Sequence, residues 1–409
     1  MFTDFDRATM AHALALAERG LETTHPNPRV GCVIVQGEQV VGEGWHECAG
    51  ESHAEVNALR AAGSNAAGAT AYVTLEPCSH HGRTPPCVEA LIAARVARVI
   101  FALEDPNPRV SGRGAEVLRR AGVAVESGLM AAEAAELNPG FLKRMRSGRP
   151  WVRVKLAMSL DGRTALANGA SQWITGAAAR EDVQRWRARS SAILTGIGTV
   201  LADDPRLDVR LPDPTSGRPR LQPLRVVLDA CLQTPSSSRM LTVGGTVLVV
   251  AAENQGENDI EFVARRAQLV KHGAQVEAVP AAQPGAASVT GAATGTGVRT
   301  GKGMGTGTTR LSLPEVLDRL GRREINELWV EAGPRLAGAL LQQALVDELI
   351  IYIAPKLLGP QARPLVEMDE LQSLQDVPRS TIVETTQIGE DVRLRLRPQQ
   401  RRPQPLQQR

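Results

Sequence analysis

The chain has 409 residues, more than one hydrophobic core usually fills, so two domains are expected. A hydrophobic share of 43% and a charged share of 22% are those of a globular protein, and a net charge of +3 is too small to imply nucleic acid or an anionic membrane as partner. The cysteines, Cys32, Cys48, Cys78, Cys87 and Cys231, are odd in number and argue for reduced thiols. With no apolar leader and no apolar run of the ~18 residues a membrane span needs, the cytoplasm is the expected compartment.

Residues 4–19 read as a helix: Met10, Leu14, Ala17 and Leu21 recur at helical spacing, Thr3 or Asp4 can cap it and Gly20 can end it. Two β-rich runs, 29–35 and 39–44, flank Gly37 as a hairpin. His53 opens a helix reaching Arg60, and a strand over 71–75 ends just before Glu76-Pro77-Cys78. A helix over 88–95 is entered through Pro85-Pro86, followed by a strand at 96–103, a helix at 114–121 and a strand at 123–126. This alternation predicts a mostly parallel sheet covered on both faces, with functional groups at strand ends and helix starts. Residues 139–150 are basic, bounded by Pro and Gly, and read as a connector.

A second alternation starts at Trp151. Strands are predicted at 152–157, 192–195, 224–228, 245–251, 275–279, 327–331 and 348–353, and helices at 177–189, 259–272, 314–320 and 335–343. Residues 281–310 are Gly/Thr/Ala-rich, have no period, and read as a mobile surface insertion. The Pro/Gln/Arg-rich end, 398–409, reads as a disordered tail. The expected domains are therefore 1–148 and 149–397.

The most chemically specific pattern is His53-Ala54-Glu55, then Pro77-Cys78, then Cys87. One imidazole and two thiolates suit zinc, and three protein ligands leave a fourth position for water, as in catalytic sites. An H-x-E pair followed by P-C marks zinc deaminases, in which the Glu is the general acid/base and not a ligand. Zinc would lower the pKa of its water towards about 7, and Glu55 is placed to take that proton and return it to the leaving amine. Cys87 falls at a predicted helix N-terminus, whose dipole favours the thiolate. Base deaminases separate their two cysteines by two residues; here residues 79–86 intervene. Two other readings stay open on these residues: a deaminase of tRNA or single-stranded DNA, and a non-catalytic metal-stabilised binding module. Against the first stand an aromatic share of only 3% and the small charge. Against the second stands Glu55.

The run Thr74-Leu75-Glu76-Pro77-Cys78-Ser79-His80-His81-Gly82-Arg83-Thr84-Pro85-Pro86-Cys87, taken with His53-Ala54-Glu55, resembles the deaminase half of the bifunctional riboflavin-biosynthesis deaminase–reductases. That family spaces its two Cys ligands widely around a His/Gly/Thr/Pro-rich insert. His25-Pro26-Asn27-Pro28-Arg29-Val30-Gly31, Gly44-Trp45-His46-Glu47 and Glu104-Asp105-Pro106-Asn107-Pro108 match as well. The resemblance implies metal ligands His53, Cys78 and Cys87 and catalytic Glu55. It also places Asn27, Asp105 and Asn107 at a pyrimidinone edge, and His46, His80 and Arg83 at a ribose 5′-phosphate.

Segments 152–163, 171–176, 195–205 and 331–340 are similar to the reductase half of the same family. By that likeness Ala157, Trp173, Thr199, Asp203, Gly333, Pro334, Arg335, Leu336, Ala337, Gly338 and Ala339 contact NADPH. Lys155, Ser171, Arg187, Leu207, Arg210 and Glu331 contact the substrate, with Arg187 and Arg210 able to grip its phosphate bidentately. The implied fold is α/β: a cytidine-deaminase-like three-layer α/β/α domain followed by a dihydrofolate-reductase-like domain. The implied reactions are zinc-dependent deamination of 2,5-diamino-6-(5-phosphoribosylamino)pyrimidin-4-one, then NADPH-dependent reduction of the ribosyl side chain to ribityl. The expected partners are small phosphorylated pyrimidines and further copies of the chain, joined through the reductase domain, with no nucleic acid and no membrane.

Overall fold

A computed structural model describes residues 1–79, 85–107, 110–212, 220–253, 259–282 and 310–399. His80, Arg83, most of the expected 281–310 insertion and nearly all of the expected tail lie outside the described residues. The chain divides into two compact units, Met1–Pro150 with Gly321–Asn326, and Trp151–Leu320 with Glu327–Arg409. Among the described residues no helix is long and apolar enough to cross a membrane.

The first unit is built on strands β1 (Gly31–Gln36), β2 (Gln39–Trp45), β3 (Thr70–Val73), β4 (Arg98–Phe101) and β5 (Ala124–Ser127), in the order β2-β1-β3-β4-β5. β1 runs antiparallel to β2 and β3, while β3, β4 and β5 are parallel. The helices are α1 (Asp4–Glu18), α2 (Ala54–Ala62), α3 (Cys87–Ala93), α4 (Arg113–Arg120), α5 (Ala131–Leu137) and α6 (Pro139–Ser147). Successive strand residues face opposite sides of a sheet. Cys32 and Ile34 accordingly pack with Ala54, Ala58, Leu91 and Leu118 of α2, α3 and α4, whereas Val33 and Val35 pack with Met10, Leu14 and Ala134 of α1 and α5. That is the expected three-layer arrangement. Thr3 caps α1: its hydroxyl accepts from Asp6 N–H at 3.1 Å, and Asp6 accepts from Thr3 N–H at 2.8 Å. α2 lies so close on β2 that a Cβ on Gly44 would sit 2.5 Å from the Ala54 carbonyl, so only glycine fits there.

One expectation is corrected here. Most of the basic 139–150 stretch is not a connector but helix α6, started by Pro139 and ended at left-handed Gly148 (φ 72°). Its basic residues dominate the sequence, but Phe141 and Leu142 form a buried face against Leu75.

The second unit is a nine-stranded sheet, ordered β11-β10-β9-β8-β12-β6-β13-β16-β15. Its strands are β6 (Trp151–Ser159), β8 (Ala192–Gly196), β9 (Leu224–Leu228), β10 (Val247–Ala252), β11 (Ala274–Val279), β12 (Glu327–Glu331), β13 (Glu348–Ala354), β15 (Ser380–Ile388) and β16 (Asp391–Pro398). A small ribbon pairs β7 (Arg163–Ala165) with β14 (Arg363–Pro364). The helices are α7 (Ala177–Ala188), α8 (Ile197–Asp203), α9 (Arg239–Thr242), α10 (Ile260–Lys271), α11 (Leu313–Arg322) and α12 (Pro334–Gln342). Strands β11 through β13 are parallel, and β16 and β15 close one edge antiparallel.

No strand was expected at β15 or β16, because their inner face is ionic. Arg393 donates to Asp182 at 2.8 Å, and Arg395 bridges Glu348 at 2.7 Å and Glu384 at 2.8 Å. Arg153, itself buried, joins Glu348 to Glu327. Burial alone would raise the Glu348 carboxyl, but Arg153 and Arg395 hold it below its usual range.

Removing one partner of such a cluster leaves a buried charge uncompensated. Arg153→Met is expected to cost about 3–5 kcal/mol, read from urea unfolding followed by fluorescence of the stacked Trp186 and Trp329. Because the Glu348 pKa is depressed by folding, its contribution is complete above the ordinary carboxylate range and is lost as pH falls through the folded value. The wild-type midpoint should therefore drop on acidification below about pH 4. An unchanged midpoint in Arg153→Met would exclude this account.

Candidate zinc centre and reductase site

Helix α2 starts at His53, which occupies the N-cap with extended backbone (φ −74°, ψ 164°) and makes no side-chain capping bond. Its ring instead turns towards two thiols: His53 Nδ1 lies 3.1 Å from Cys87 Sγ and 3.5 Å from Cys78 Sγ. Cys78 comes from the loop after β3, and Cys87 is the first residue of α3. The start of α3 folds around Cys78, with Cys87 N–H donating to Cys78 Sγ at 3.3 Å and Val88 N–H to Cys78 O at 3.3 Å. The three ligand atoms lie within 4.8 Å of one another. Zinc bonds of about 2.0 Å to nitrogen and 2.3 Å to sulfur span that distance in tetrahedral geometry, so the donor set fits zinc.

The electrostatics match. Hydrogen bonds from Cys87 and His53 hold the Cys78 thiol down to about 4, against its burial. Beside that thiolate the Cys87 thiol is pushed up, and the hydrogen bond to Cys78 raises His53. Glu55, in the first turn of α2, is buried with its carboxyl against Cys87, and burial raises its pKa. The shift is in the direction that a general acid/base requires.

Of the expected deaminase substrate residues, Asn27, His46, Asp105 and Asn107 are described. Asn27 Nδ2 donates to His46 Nε2 at 3.0 Å, which leaves His46 Nδ1 to donate to Ser52 O at 3.1 Å. Burial also lowers the His46 pKa, so the ring is neutral in one tautomer. Both ring nitrogens of His46 are thereby engaged, one of them by Asn27. The Asn27 loop is braced from below: Arg29 N–H donates to Asn138 Oδ1 at 2.8 Å, Asn138 Nδ2 to Arg29 O at 2.8 Å, and Asn326 Nδ2 to Pro26 O at 2.9 Å. Asp105 is buried and accepts from Asn107 N–H at 2.8 Å. Burial, with Glu76 and Cys78 nearby, outweighs that bond and raises its carboxyl to about 6. Sequence reasoning gave no role to Asn138 or Asn326, whose contacts are with distant backbone. It also gave none to Glu76, although Glu76 stands in the motif.

In the second unit the expected residues lie on β6, at the end of β12, on α7, α8 and α12, and in the segments beside α7 and α8. Lys155 and Glu331 are register partners on adjacent strands. Arg187 closes on Glu331 with both prongs, Nε to Oε1 at 2.6 Å and Nη2 to Oε2 at 2.8 Å, and Trp329 Nε1 donates to Oε1 at 2.8 Å. Burial opposes ionisation, but Arg187, Lys155 and Trp329 bring Glu331 down to about 2. Burial lowers the Lys155 pKa despite Glu331 beside it. The expected phosphate grip is thereby altered: the Arg187 fork is committed to Glu331, whereas Arg210, paired with Asp208 at 2.6 Å, keeps half its guanidinium side chain exposed. Leu207 is a core residue packed with Ile193 and Val227, and its side chain does not face solvent.

Trp173 is 64% exposed, with Arg180 over its ring at 4.6 Å. Ser171 and Thr199 are half-buried, as is Ala157, while Asp203 is exposed. The 333–339 segment is mostly helix. Leu336, Ala337, Gly338 and Ala339 are buried in α12, and a Cβ on Gly338 would lie 1.7 Å from Glu367 O. Gly333, Pro334 and Arg335 form the accessible end, which no side chain caps. Such an end suits an anion.

Known proteins share this organisation. The family model described as the RibD C-terminal domain matches residues 150–394, and the cytidine and deoxycytidylate deaminase zinc-binding region matches residues 3–103. The riboflavin biosynthesis protein RibD of Escherichia coli (strain K12) is 49% identical over 96% of this chain and 99% of its own length. RibD of Haemophilus influenzae is 44% identical over 97% and 98%. Among solved structures, Acinetobacter baumannii RibD aligns with a TM-score of 0.83 and 43% identity over 97% of this chain and 99% of that one. A Thermotoga maritima diaminohydroxyphosphoribosylaminopyrimidine deaminase/5-amino-6-(5-phosphoribosylamino)uracil reductase aligns at 0.77 and 28% identity over 96% and 99%. The chain therefore belongs to the RibD family, the bifunctional deaminase–reductases of riboflavin biosynthesis, with a zinc-binding deaminase region ahead of its reductase domain.

Proposed function

We propose that the first unit deaminates 2,5-diamino-6-(5-phosphoribosylamino)pyrimidin-4-one, and that the second reduces the ribosyl chain of the product with NADPH to give 5-amino-6-(5-phosphoribitylamino)uracil. The observation that carries this reading is the convergence of His53, Cys78 and Cys87 with Glu55 buried beside them. Zinc held by those three donors supplies, when bound, a water activated at neutral pH. The chain does the rest. Glu55 takes a proton onto its carboxylate and returns it to the amino group that leaves as ammonia. Asn27, held by neutral His46, and the Asp105–Asn107 loop read the pyrimidinone edge, which excludes rings lacking those groups.

For the second step, the bare N-terminus of α12 and the exposed Trp173 ring fit a dinucleotide, and NADPH bound there supplies the hydride. Arg187 and Trp329 fix the Glu331 carboxylate, Lys155 holds a proton at the sugar oxygen, and Arg210 offers its exposed edge to the phosphate. Reduced cysteines support a cytoplasmic location. Exposed Ile382 and Val383 on edge strand β15 support association of copies through the reductase unit.

Glu55→Gln is expected to lower ammonia release by about 10²–10⁴-fold while zinc, measured by atomic absorption, stays at one per chain. Ammonia release at the wild-type rate in that variant would rule out the proton-shuttle role. Chelating the zinc should stop deamination yet leave NADPH oxidation intact when the deaminated pyrimidine is supplied; loss of both would deny two independent sites. Lys155→Met should reduce NADPH oxidation on that pyrimidine by about 10²-fold without touching ammonia release. A wild-type reductase rate would remove Lys155 from the step.

A further inference from the structure

Glu76 neither belongs to the zinc ligand set nor transfers a proton in the scheme above. It is nevertheless a buried carboxylate two residues before a ligand. Its Oε2 accepts from Asp105 N–H at 3.3 Å and from Gly112 N–H at 3.0 Å, and its Oε1 accepts from Ala115 N–H at 3.2 Å. Its own N–H donates to Leu103 O at 2.9 Å. One carboxylate thus ties down the start of the segment that follows β4, the end of that segment, and the first turn of α4. An anion is favoured against the free N–H groups of a helix start, and N–H donors offset the cost of burying it. The same place is tight: a Cβ on Gly114 would lie 2.1 Å from Pro77 O, so α4 rests directly on the Glu76–Pro77 backbone. Asp105 is itself tethered, and its side chain in turn holds the Asn107 N–H.

We propose that Glu76 is the positioning residue of the deaminase substrate site. By holding the Asp105 and Gly112 N–H groups on one carboxylate it fixes where Asp105 and Asn107 meet the aminopyrimidinone, and so sets recognition, not metal binding or proton transfer. This rests on the assignment of Asp105 and Asn107 to the substrate. The requirement is geometric: about 1 Å of displacement at a positioning group is enough to cost on the order of 10²-fold in rate. Glutamine keeps one carbonyl oxygen, able to serve Asp105 and Gly112, but turns an amide towards the Ala115 N–H. Alanine leaves all three N–H groups orphaned.

The test measures ammonia release by the full-length zinc-loaded protein on the diaminopyrimidinone phosphate, for Glu76→Gln, Glu76→Ala, Asp105→Asn and Asn107→Ala. Zinc content and NADPH oxidation on the deaminated pyrimidine serve as internal controls of folding. Glu76→Ala is expected to lose on the order of 10²-fold in kcat/KM, chiefly through KM, with zinc and reductase rate unchanged and Glu76→Gln intermediate. If the alanine variant does not fold, Glu76→Gln alone decides, by a raised KM at an unaltered kcat. The proposal is overturned if Asp105→Asn raises KM while both Glu76 variants keep the wild-type value, if activity falls in step with lost zinc, or if kcat alone drops. Wild-type KM in Asp105→Asn and Asn107→Ala would instead strike down the substrate assignment beneath it.

Discussion

Helices α2 and α3 begin at the same edge of one sheet, and the deaminase centre depends on that coincidence. His53 ends the approach to α2, and Cys87 is the first residue of α3, so two ligands are fixed by where helices start and not by flexible loops. The third, Cys78, follows β3, the strand next to β1 at the middle of the sheet. The close seat of α2 on β2, permitted by Gly44, sets the height of His53. The rotation of α2 sets Glu55, two residues on, against Cys87. His53, Glu55 and Cys87 are held together because α2 and α3 pack on the same hydrophobic cluster.

The second unit solves a different problem, the burial of charge. Arg187 and Glu331 close on each other with two short bonds at the edge where β12 gives way to α12. That pair keeps Glu331 ionised in a site where burial opposes it, and Lys155 on the neighbouring strand feels the resulting field. Deeper in the sheet, Arg153, Glu327, Glu348, Arg395, Glu384, Arg393 and Asp182 form a chain of ion pairs that joins the antiparallel edge to the parallel centre. A half-satisfied chain of this kind is worse than an apolar one. Its members therefore specify which strand lies beside which.

This division explains what the sequence made legible. Apolar periodicity marked α1, β8, β9, β12 and most other elements to within a few residues, because their inner faces are apolar. It missed β15 and β16, whose inner faces carry Arg393, Arg395 and Glu384, and it missed α6, where basic residues outnumber Phe141 and Leu142. In the site, His53, Cys78 and Cys87 were legible as a cluster because a metal requires particular residue types in a particular order. Asn138 and Asn326 were not, since a side chain that binds distant backbone leaves no spacing to read. The roles of Arg187 and Leu207 were legible only as positions: the fold gives the first to Glu331 and the second to the core.

Helix caps carry the same logic into both units. Thr3 closes α1 and Asp259 closes α10 with their own side chains. At α5, α6 and α7 no side chain of the N-cap residue makes such a bond. α2 starts at His53 and α12 at Gly333, neither of which caps with its side chain. A missing cap costs about 1 kcal/mol of helix stability. At α4 a third solution occurs. The cap position is a glycine, Gly112, with left-handed backbone (φ 74°), and the carboxylate that serves the first turn comes from Glu76, 36 residues earlier. A local cap would have held α4 alone; a distant one holds α4, the Asp105 segment and the Cys78 motif to each other, which is the arrangement a substrate pocket needs.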